Sequence, residues 1–290
     1  MNTSQRESVR TLVRGVYDLQ KLRIQMGNRI VATFKAKLGQ EPGELEEDGL
    51  SADGKLLLGN LRQRFKKITD GVVMIEPLKD FKGDELIDSY TELCLIAEYV
   101  ELDENEKRQF RRLGNVLKEW PIWTQYLEGV KGIGPAMAGV IVSEIDISKA
   151  RHPSSLWKYA GLDVADNGAG RSRKADHLID KEYVDAEGEV KTRKSITFNP
   201  WLKTKLIGVL ASSFLRAGDG PYRTIYDGYK SRLEQHPNHK DKSKGWRHNM
   251  AMRYMVKMFL IDLYTKWRAL EGLPVSLPYH EAKLGHQHAA

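Results

Sequence analysis

The stretch Tyr126–Leu162, YLEGVKGIGPAMAGVIVSEIDISKARHPSSLWKYAGL, decides how the surrounding chain folds. It begins with a helix-like run that ends at residues 127–130. A tight turn follows at residues 131–134, and a second helix starts at Pro135. Proline is favoured at a first helical position because its missing N–H would have no helical partner there. The pattern predicts a helix-hairpin-helix.

The turn itself, Lys131-Gly132-Ile133-Gly134, is the first candidate binding element. Its glycines permit backbone torsions closed to residues with a Cβ, and they allow close approach of another molecule. Amides at a helix N-terminus bind phosphate oxygens well. A structural turn that only caps one helix and starts another is the alternative interpretation. Basic side chains near the turn favour the functional one: Lys131, Lys149, Arg151 and Lys158, with Trp157 and Tyr159 interleaved.

Composition sets the broad class of the protein. The chain has 290 residues, which allows two domains, and a net charge of +7, which favours a polyanionic partner. Its single cysteine, Cys94, lies in an apolar helical pattern, which indicates a structural thiol in a reducing compartment. No run is apolar enough to cross a membrane, and the first residues lack a signal-peptide core, so we expect a cytoplasmic protein without a membrane partner.

Residues 1–115 are predicted to form a helical bundle or coiled coil. Helices are expected at 5–38, 55–69 and about 84–102, and a further helix is expected to be capped by residues 103–105. The first helix has an apolar stripe that needs a cover, either a later helix or a second chain, so a homo-oligomer is one expectation. The stripe comprises Val9, Leu12, Val16, Leu19, Met26, Ile30 and Phe34.

Residues 116–275 are predicted to form a second, mainly helical domain, followed by a tail at 276–290. The helical pattern breaks after Val164, and a β-hairpin is expected from Glu182 to Thr192. Helices resume after Pro200, and the last is expected from Trp246 to Leu270. The fold class is therefore mainly α, with a small β-hairpin.

Two further basic segments are candidates for nucleic-acid contact. Arg171, Arg173 and Lys174 follow a glycine-rich stretch and are suited to gripping a phosphate chain, although a solvated loop has the same composition. In the last helix, Arg247, Arg253 and Lys257 can line one helical face. Metals and cofactors are not indicated. The histidines of the tail lack convergent ligands, and Asp146 is interpreted as a loop or cap residue.

Four features together resemble the C-terminal domain of the Piv-type DNA invertases and related insertion-sequence transposases, also called bridge-RNA-guided recombinases. The resemblance covers roughly residues 120–270. Its features are GIGP at 132–135, the segment SEIDISKARHPSSLWKYAGL, the glycine-rich basic loop, and the helices that contain Trp201-Leu202-Lys203 and His248, Ala251 and Lys257.

The resemblance implies a two-part enzyme that acts on DNA, with a guide RNA as a further partner. An N-terminal RNase H-like domain would bind a divalent metal through acidic residues, and a serine followed by glycine would be the nucleophile. This chain departs from that pattern in three places. Residues 1–115 are predicted to be helical, Ala169-Gly170 stands where serine-glycine is expected, and the hairpin at 182–193 resembles an insertion. Alanine has no nucleophilic atom.

The sequence therefore predicts a DNA-binding protein of transposition or recombination with a helix-hairpin-helix-containing, transposase-like domain. Two alternatives stay open: an active recombinase that uses Ser172 as its catalytic residue, and a helical protein-interaction module. The predicted DNA-binding residues are Lys131, Gly132, Gly134, Arg151, Lys158, Arg171, Arg173 and Lys174.

Overall fold

The computed structural model describes residues 3–39, 51–69, 78–83 and 87–277. Within them the protein is mainly α-helical with one small β-hairpin, as the sequence predicts. The helices are α1 (Thr3–Lys37), α2 (Ala52–Thr69), α3 (Tyr90–Leu117), α4 (Pro121–Gln125), α5 (Pro135–Glu144), α6 (Pro153–Tyr159), α7 (Pro200–Thr204), α8 (Ala211–Arg216), α9 (Pro221–Gln235) and α10 (Lys244–Leu270). A π-helical segment, Lys205–Leu210, joins α7 to α8.

The chain divides into two compact units. One contains residues 11–112, and the other contains residues 1–10 and 113–290. The unit of residues 11–112 has a core formed by α1, α2, α3 and Ile87, which precedes α3. Its buried members are Ile30, Phe34, Leu58, Leu61, Ile87, Leu93, Ile96 and Tyr99. This core covers part of the predicted stripe of α1 within one chain.

The predicted break at Asp103–Asn105 is wrong, because α3 runs without interruption from Tyr90 to Leu117. Aspartate favours helix caps when its side chain bonds to nearby backbone. Here Asp103 forms ion pairs with Lys107 at 2.7 Å and with Arg23 at 3.6 Å instead. The part of the predicted third helix at residues 84–86 lies outside the described residues.

In the other unit α10 is the central helix. Its buried face includes Met255, Phe259, Leu263 and Trp267, and it packs against α9, α6 and the π-helical segment. The helix α5 is buried over almost its whole length, from Met137 to Glu144. The side chains of this core hold both the turn before α5 and the loop after α6.

The β-hairpin is confirmed. Strands β1 (Ile179–Val184) and β2 (Val190–Ser195) pair antiparallel, with Ile179 opposite Ser195 and Val184 opposite Val190. All of β1 and all of β2 except Ser195 are exposed to solvent.

Candidate nucleic-acid interface

The turn before α5 faces the protein interior at one of its glycines. Gly132 has φ +98°, and a Cβ built there would lie 3.0 Å from Phe214 Cδ1 and 3.3 Å from the Ser213 carbonyl oxygen. The amide of Ile133 donates to the carbonyl of Val130 at 3.0 Å, and Ile133 is buried. Glycine at 132 is therefore required by the packing of the turn against α8.

Gly134, in contrast, is exposed and unobstructed. Its backbone is extended, with φ −106° and ψ 179°, and nothing lies within 4 Å of a Cβ built on it. It is the N-cap residue of α5, whose first amides have no carbonyl partner inside the helix. Lys131 is exposed beside it and donates from Nζ to the Asp219 carbonyl oxygen at 3.2 Å.

The element before the turn differs from the prediction. The helix-like run expected to end at 127–130 is the short helix α4, followed by one 3₁₀ turn at Leu127–Gly129. A cavity of about 690 Å³ opens next to this segment, and Lys131 and Lys266 are among its lining residues. Below them, the Tyr126 and Tyr222 hydroxyls lie 3.0 Å apart, and Tyr222 donates to Asp262 at 2.9 Å.

Burial determines the protonation of this tyrosine pair. Desolvation raises the pKa of both phenols, and it also raises the pKa of Asp262 despite the hydrogen bond from Tyr222. Both tyrosines are therefore protonated at neutral pH. They act as hydrogen-bonding groups of the cavity wall rather than as anionic nucleophiles.

The glycine-rich loop after α6 folds back on itself. An isolated bridge pairs Val164 with Gly170, and the Ala165 amide donates to the Ala169 carbonyl at 2.8 Å. At its base the Arg171 amide donates to the Asp163 carbonyl at 3.0 Å. Ala169, where the resemblance expects serine, is exposed near the tip of this loop.

Ser172 lies beside a buried histidine. Its Oγ is 2.9 Å from His177 Nδ1, and its backbone amide donates to the same nitrogen at 3.0 Å. Since Nδ1 accepts that N–H, a neutral imidazole has its proton on Nε2, which lies 3.0 Å from Asn167 Nδ2 and 3.3 Å from Asn167 Oδ1. Asn167 is held in turn by Asp176, to which its Nδ2 donates at 2.6 Å. The Ser172 hydroxyl thus lies beside an imidazole nitrogen that already accepts the Ser172 backbone N–H, and Asn167 lies beside the other ring nitrogen.

Of the three predicted cations in this loop, Arg171 is engaged within the protein. Its guanidinium donates to Asp163 Oδ2 at 2.9 Å and 3.1 Å, and its side chain is only 16% exposed. Its carbonyl oxygen accepts from Lys203 and from Arg253. Arg173 and Lys174 are exposed. They are the two loop cations that face solvent.

The remaining predicted contact residues are also exposed. Lys158 follows Trp157 in α6, and Arg151 lies in the turn before α6. The Arg151 carbonyl accepts from the Tyr264 hydroxyl at 2.7 Å, which fixes its backbone to α10.

The structure reveals side chains that the sequence reasoning did not assign to the site. His177 belongs here because it contacts Ser172, and Lys203 because its Nζ donates to the Arg171 carbonyl. Burial, and after it repulsion from Arg253, lowers the pKa of Lys203 to about 8. A half-buried lysine among cations has no signature in the local sequence. The five-residue spacing from Ser172 to His177 was the only available signal for the histidine.

Within the part of the chain that the structure describes, no three His, Cys, Asp or Glu side chains are grouped so that they could hold a metal ion. None of the helices described combines the length and apolar character that a membrane span needs. The tail histidines lie outside the described residues.

Comparison with known proteins identifies one segment of the chain. No curated protein and no solved structure matches the chain significantly. Residues 124–185, however, match the family model described as Transposase IS116/IS110/IS902 family. The match includes the turn before α5, the loop of Ser172 and all of β1, so it extends into the hairpin that resembles an insertion in the Piv-type pattern. It supports an IS110-type transposase domain in this part of the chain, and with it a role in transposition or recombination.

Proposed function

We propose that the protein binds DNA during transposition or site-specific recombination, through the surface around the turn before α5. The observation that carries the proposal is Gly134, which is exposed at the N-terminus of the ten-residue helix α5 with open space in front of it. Amides and the helix dipole at such a terminus attract a phosphate oxygen. Lys131 adds a positive charge at the same turn.

Further exposed cations support the proposal. Lys158 lies in α6 and Arg151 in the turn before it, and Arg173 and Lys174 follow the loop of Ala169. Contacts of this kind hold a phosphate backbone with little sequence selection. DNA shape or a guide RNA would then supply specificity. The proposal also includes a guide RNA as a partner, assignment to the Piv-type family, and a domain boundary between residues 115 and 116.

Charge reversal against a matched control tests DNA binding. In Lys131→Glu with Arg173→Glu, affinity for a duplex should fall, and the slope of log affinity against log salt should become shallower by about 0.9 for each phosphate that the protein no longer neutralises. The control is Lys21→Glu with Arg29→Glu, which makes the same chemical change at exposed positions in the unit of residues 11–112. If both double variants lose the same affinity for DNA, only net charge matters. If neither loses affinity, the alternative of a helical protein-interaction module is favoured.

A second candidate function is serine-dependent strand exchange, favoured by the 2.9 Å contact between Ser172 Oγ and His177 Nδ1. In that reaction the Ser172 amide gives up its hydrogen bond to His177 Nδ1, and the hydroxyl passes its proton to that nitrogen while Oγ forms a bond to a phosphodiester phosphorus. The bond from phosphorus to the leaving sugar oxygen breaks, and that oxygen takes up, through water, the proton that His177 received. The Lys174 amide also donates to Oγ at 3.3 Å, so the same hydroxyl contributes to the loop conformation.

A trapped protein–DNA adduct tests this candidate. It should form with the wild-type chain and with Ala169→Ser, and should be absent in Ser172→Ala. Retention in Ser172→Ala would exclude Ser172 as the nucleophile. An adduct that appears only in Ala169→Ser would place the reactive position at residue 169 instead.

A further inference from the structure

A second cavity, of about 580 Å³, lies between the loop of Ala169 and the helices α9 and α10. Its volume is within the range of about 300–1,000 Å³ that is usual for small-ligand sites. One wall is the loop backbone, and the other is made by side chains of α9 and α10. These side chains include Tyr229, Trp246, Asn249, Arg253, Tyr254 and Lys257.

The cavity is cationic. Arg253 and Lys257 line it, and desolvation lowers the pKa of both side chains. The pKa of Lys257 is further lowered by repulsion from Arg253, and Lys203, next to Arg253 at the Arg171 carbonyl, is affected in the same way. Asp163 also lines the cavity, and its Oδ2 is paired with the Arg171 guanidinium at 2.9 Å. An anion in this cavity would relieve the repulsion among the cations.

The loop backbone fixes Arg253 against it. Nη2 of Arg253 donates to the Gly161 carbonyl at 3.1 Å, and a Cβ on Gly170 would lie 2.7 Å from Nη1. Any larger residue at 170 would displace the guanidinium. The absence of a side chain at Gly170 therefore allows the Arg253 guanidinium to lie against the loop backbone.

Aromatic rings line the opposite part of the cavity. Tyr229 and Tyr254 are stacked, with ring centroids 4.1 Å apart and an interplanar angle of 11°. Trp246 also lines the cavity, and it is 36% exposed. Stacking platforms beside a positive groove are the usual means of holding unpaired nucleotides.

We infer that this cavity holds one unpaired nucleotide of a DNA strand, with its base against Trp246 and the Tyr229–Tyr254 pair and its phosphate against Arg253 and Lys257. The inference deepens the proposed function and rests on it. It also gives the loop of Ala169 a role that requires no nucleophile at that position, namely to form the wall against which the nucleotide is held.

The test separates base contacts from phosphate contacts. Labelled thymidine octamers, either intact or with abasic sites throughout, are titrated with the full chain and followed by fluorescence anisotropy. Tyr254→Leu should lower affinity for the intact strand by roughly five-fold or more, the effect of removing one stacked base, and should not change affinity for the abasic strand. Lys257→Met should weaken both strands and lower the salt slope by about 0.7, the value for one phosphate neutralised on a single strand.

Controls distinguish the cavity from the proposed function and from faulty folding. Tyr183→Leu removes a ring from the exposed hairpin and should bind both strands like the wild type. Trp246→Leu changes an exposed residue and should repeat the base-dependent weakening if Tyr254→Leu fails to fold. A strand containing 5-iododeoxyuridine should photo-cross-link to the peptides of α9 or α10 that carry these rings.

Three results would overturn the inference. One is equal weakening for intact and abasic strands in both aromatic variants, and another is unchanged affinity in both. The third is clear preference for a uridine octamer, which would make the occupant RNA. If duplex DNA still binds through Lys131 and Arg173 in these cases, only the cavity assignment fails. If neither duplex nor single-stranded DNA binds, the proposed function fails with it.

Discussion

Gly132 is in direct contact with Phe214: a Cβ added to the glycine would lie 3.0 Å from Cδ1 of the ring. Phe214 is itself fixed by Tyr222 and Phe259, with ring centroids 4.6 Å and 5.5 Å away. The ring has little room to withdraw. The turn before α5 is thus anchored at Gly132 and open at Gly134, and substitutions at these two glycines should have opposite consequences.

Gly132→Ala should destabilise the fold. The residue has φ +98°, where a non-glycine residue costs about 1–3 kcal/mol, and the new methyl group also meets Phe214. Chemical denaturation should show a lower free energy of unfolding by at least that amount. An unchanged midpoint would mean that the turn rearranges without cost.

Gly134→Ala should leave folding nearly intact and weaken DNA binding. The position is extended and open, and alanine in place of glycine at an N-cap costs less than about 1 kcal/mol. A methyl group there obstructs the approach of a phosphate to the first amides of α5, and removal of one such hydrogen bond should cost about 1 kcal/mol of binding free energy. Wild-type affinity in this variant would contradict the proposed contact.

Lys203 should make stability depend on pH in the alkaline range. Its pKa in the folded protein is about 8, against an ordinary value of 10.5. Between these values the unfolded chain retains the proton and the folded chain has lost it, so the free energy of unfolding rises as pH increases from 8 to 10.5. Below pH 8 the buried charge is a constant cost.

The measurement is urea denaturation at several pH values, in the wild type and in Lys203→Met. Methionine keeps much of the length of the side chain without its charge, so the rise above about pH 8 should become smaller. An identical pH profile in both proteins would show that Lys203 is protonated as easily in the folded chain as in the unfolded one.

Arg268→Met should be among the most destabilising single substitutions in α10. The buried guanidinium donates to the carbonyls of Ile147 at 3.0 Å, Ala150 at 2.8 Å and Pro274 at 2.6 Å. Removing it leaves buried acceptors without a donor, each at a cost of about 1–3 kcal/mol. Thermal denaturation measures the effect, and Lys266→Met, an exposed neighbour, is the control.

The sequence correctly predicted those helix starts and the hairpin that depend only on neighbouring residues. Proline at 135 and 200 marks the starts of α5 and α7, and the hairpin follows from its alternating residues and its glycine turn. The helix α3 was wrongly divided because Arg23, far earlier in the chain, recruits Asp103 and Glu106. The sequence around Asp103 does not indicate that Arg23 is its partner.

The candidate site was predictable only as a set of segments. The exposed cations Lys131, Arg173 and Lys174 were identified from composition, because charge near glycine needs no tertiary information. The inward face of Gly132 and the pairing of Ser172 with His177 depend on how α8 and the loop of residues 163–177 are placed. The cavity depends on helices α9 and α10, which lie well beyond the loop in the sequence.

The solvent-exposed hairpin β1–β2 has a practical consequence. A two-stranded ribbon with both faces in water adds little to the stability of the core. Its tip, at Glu187 and Gly188, is therefore a suitable place to attach a fluorophore or an affinity tag, and the labelled chain should report on strand capture while its folding core stays untouched.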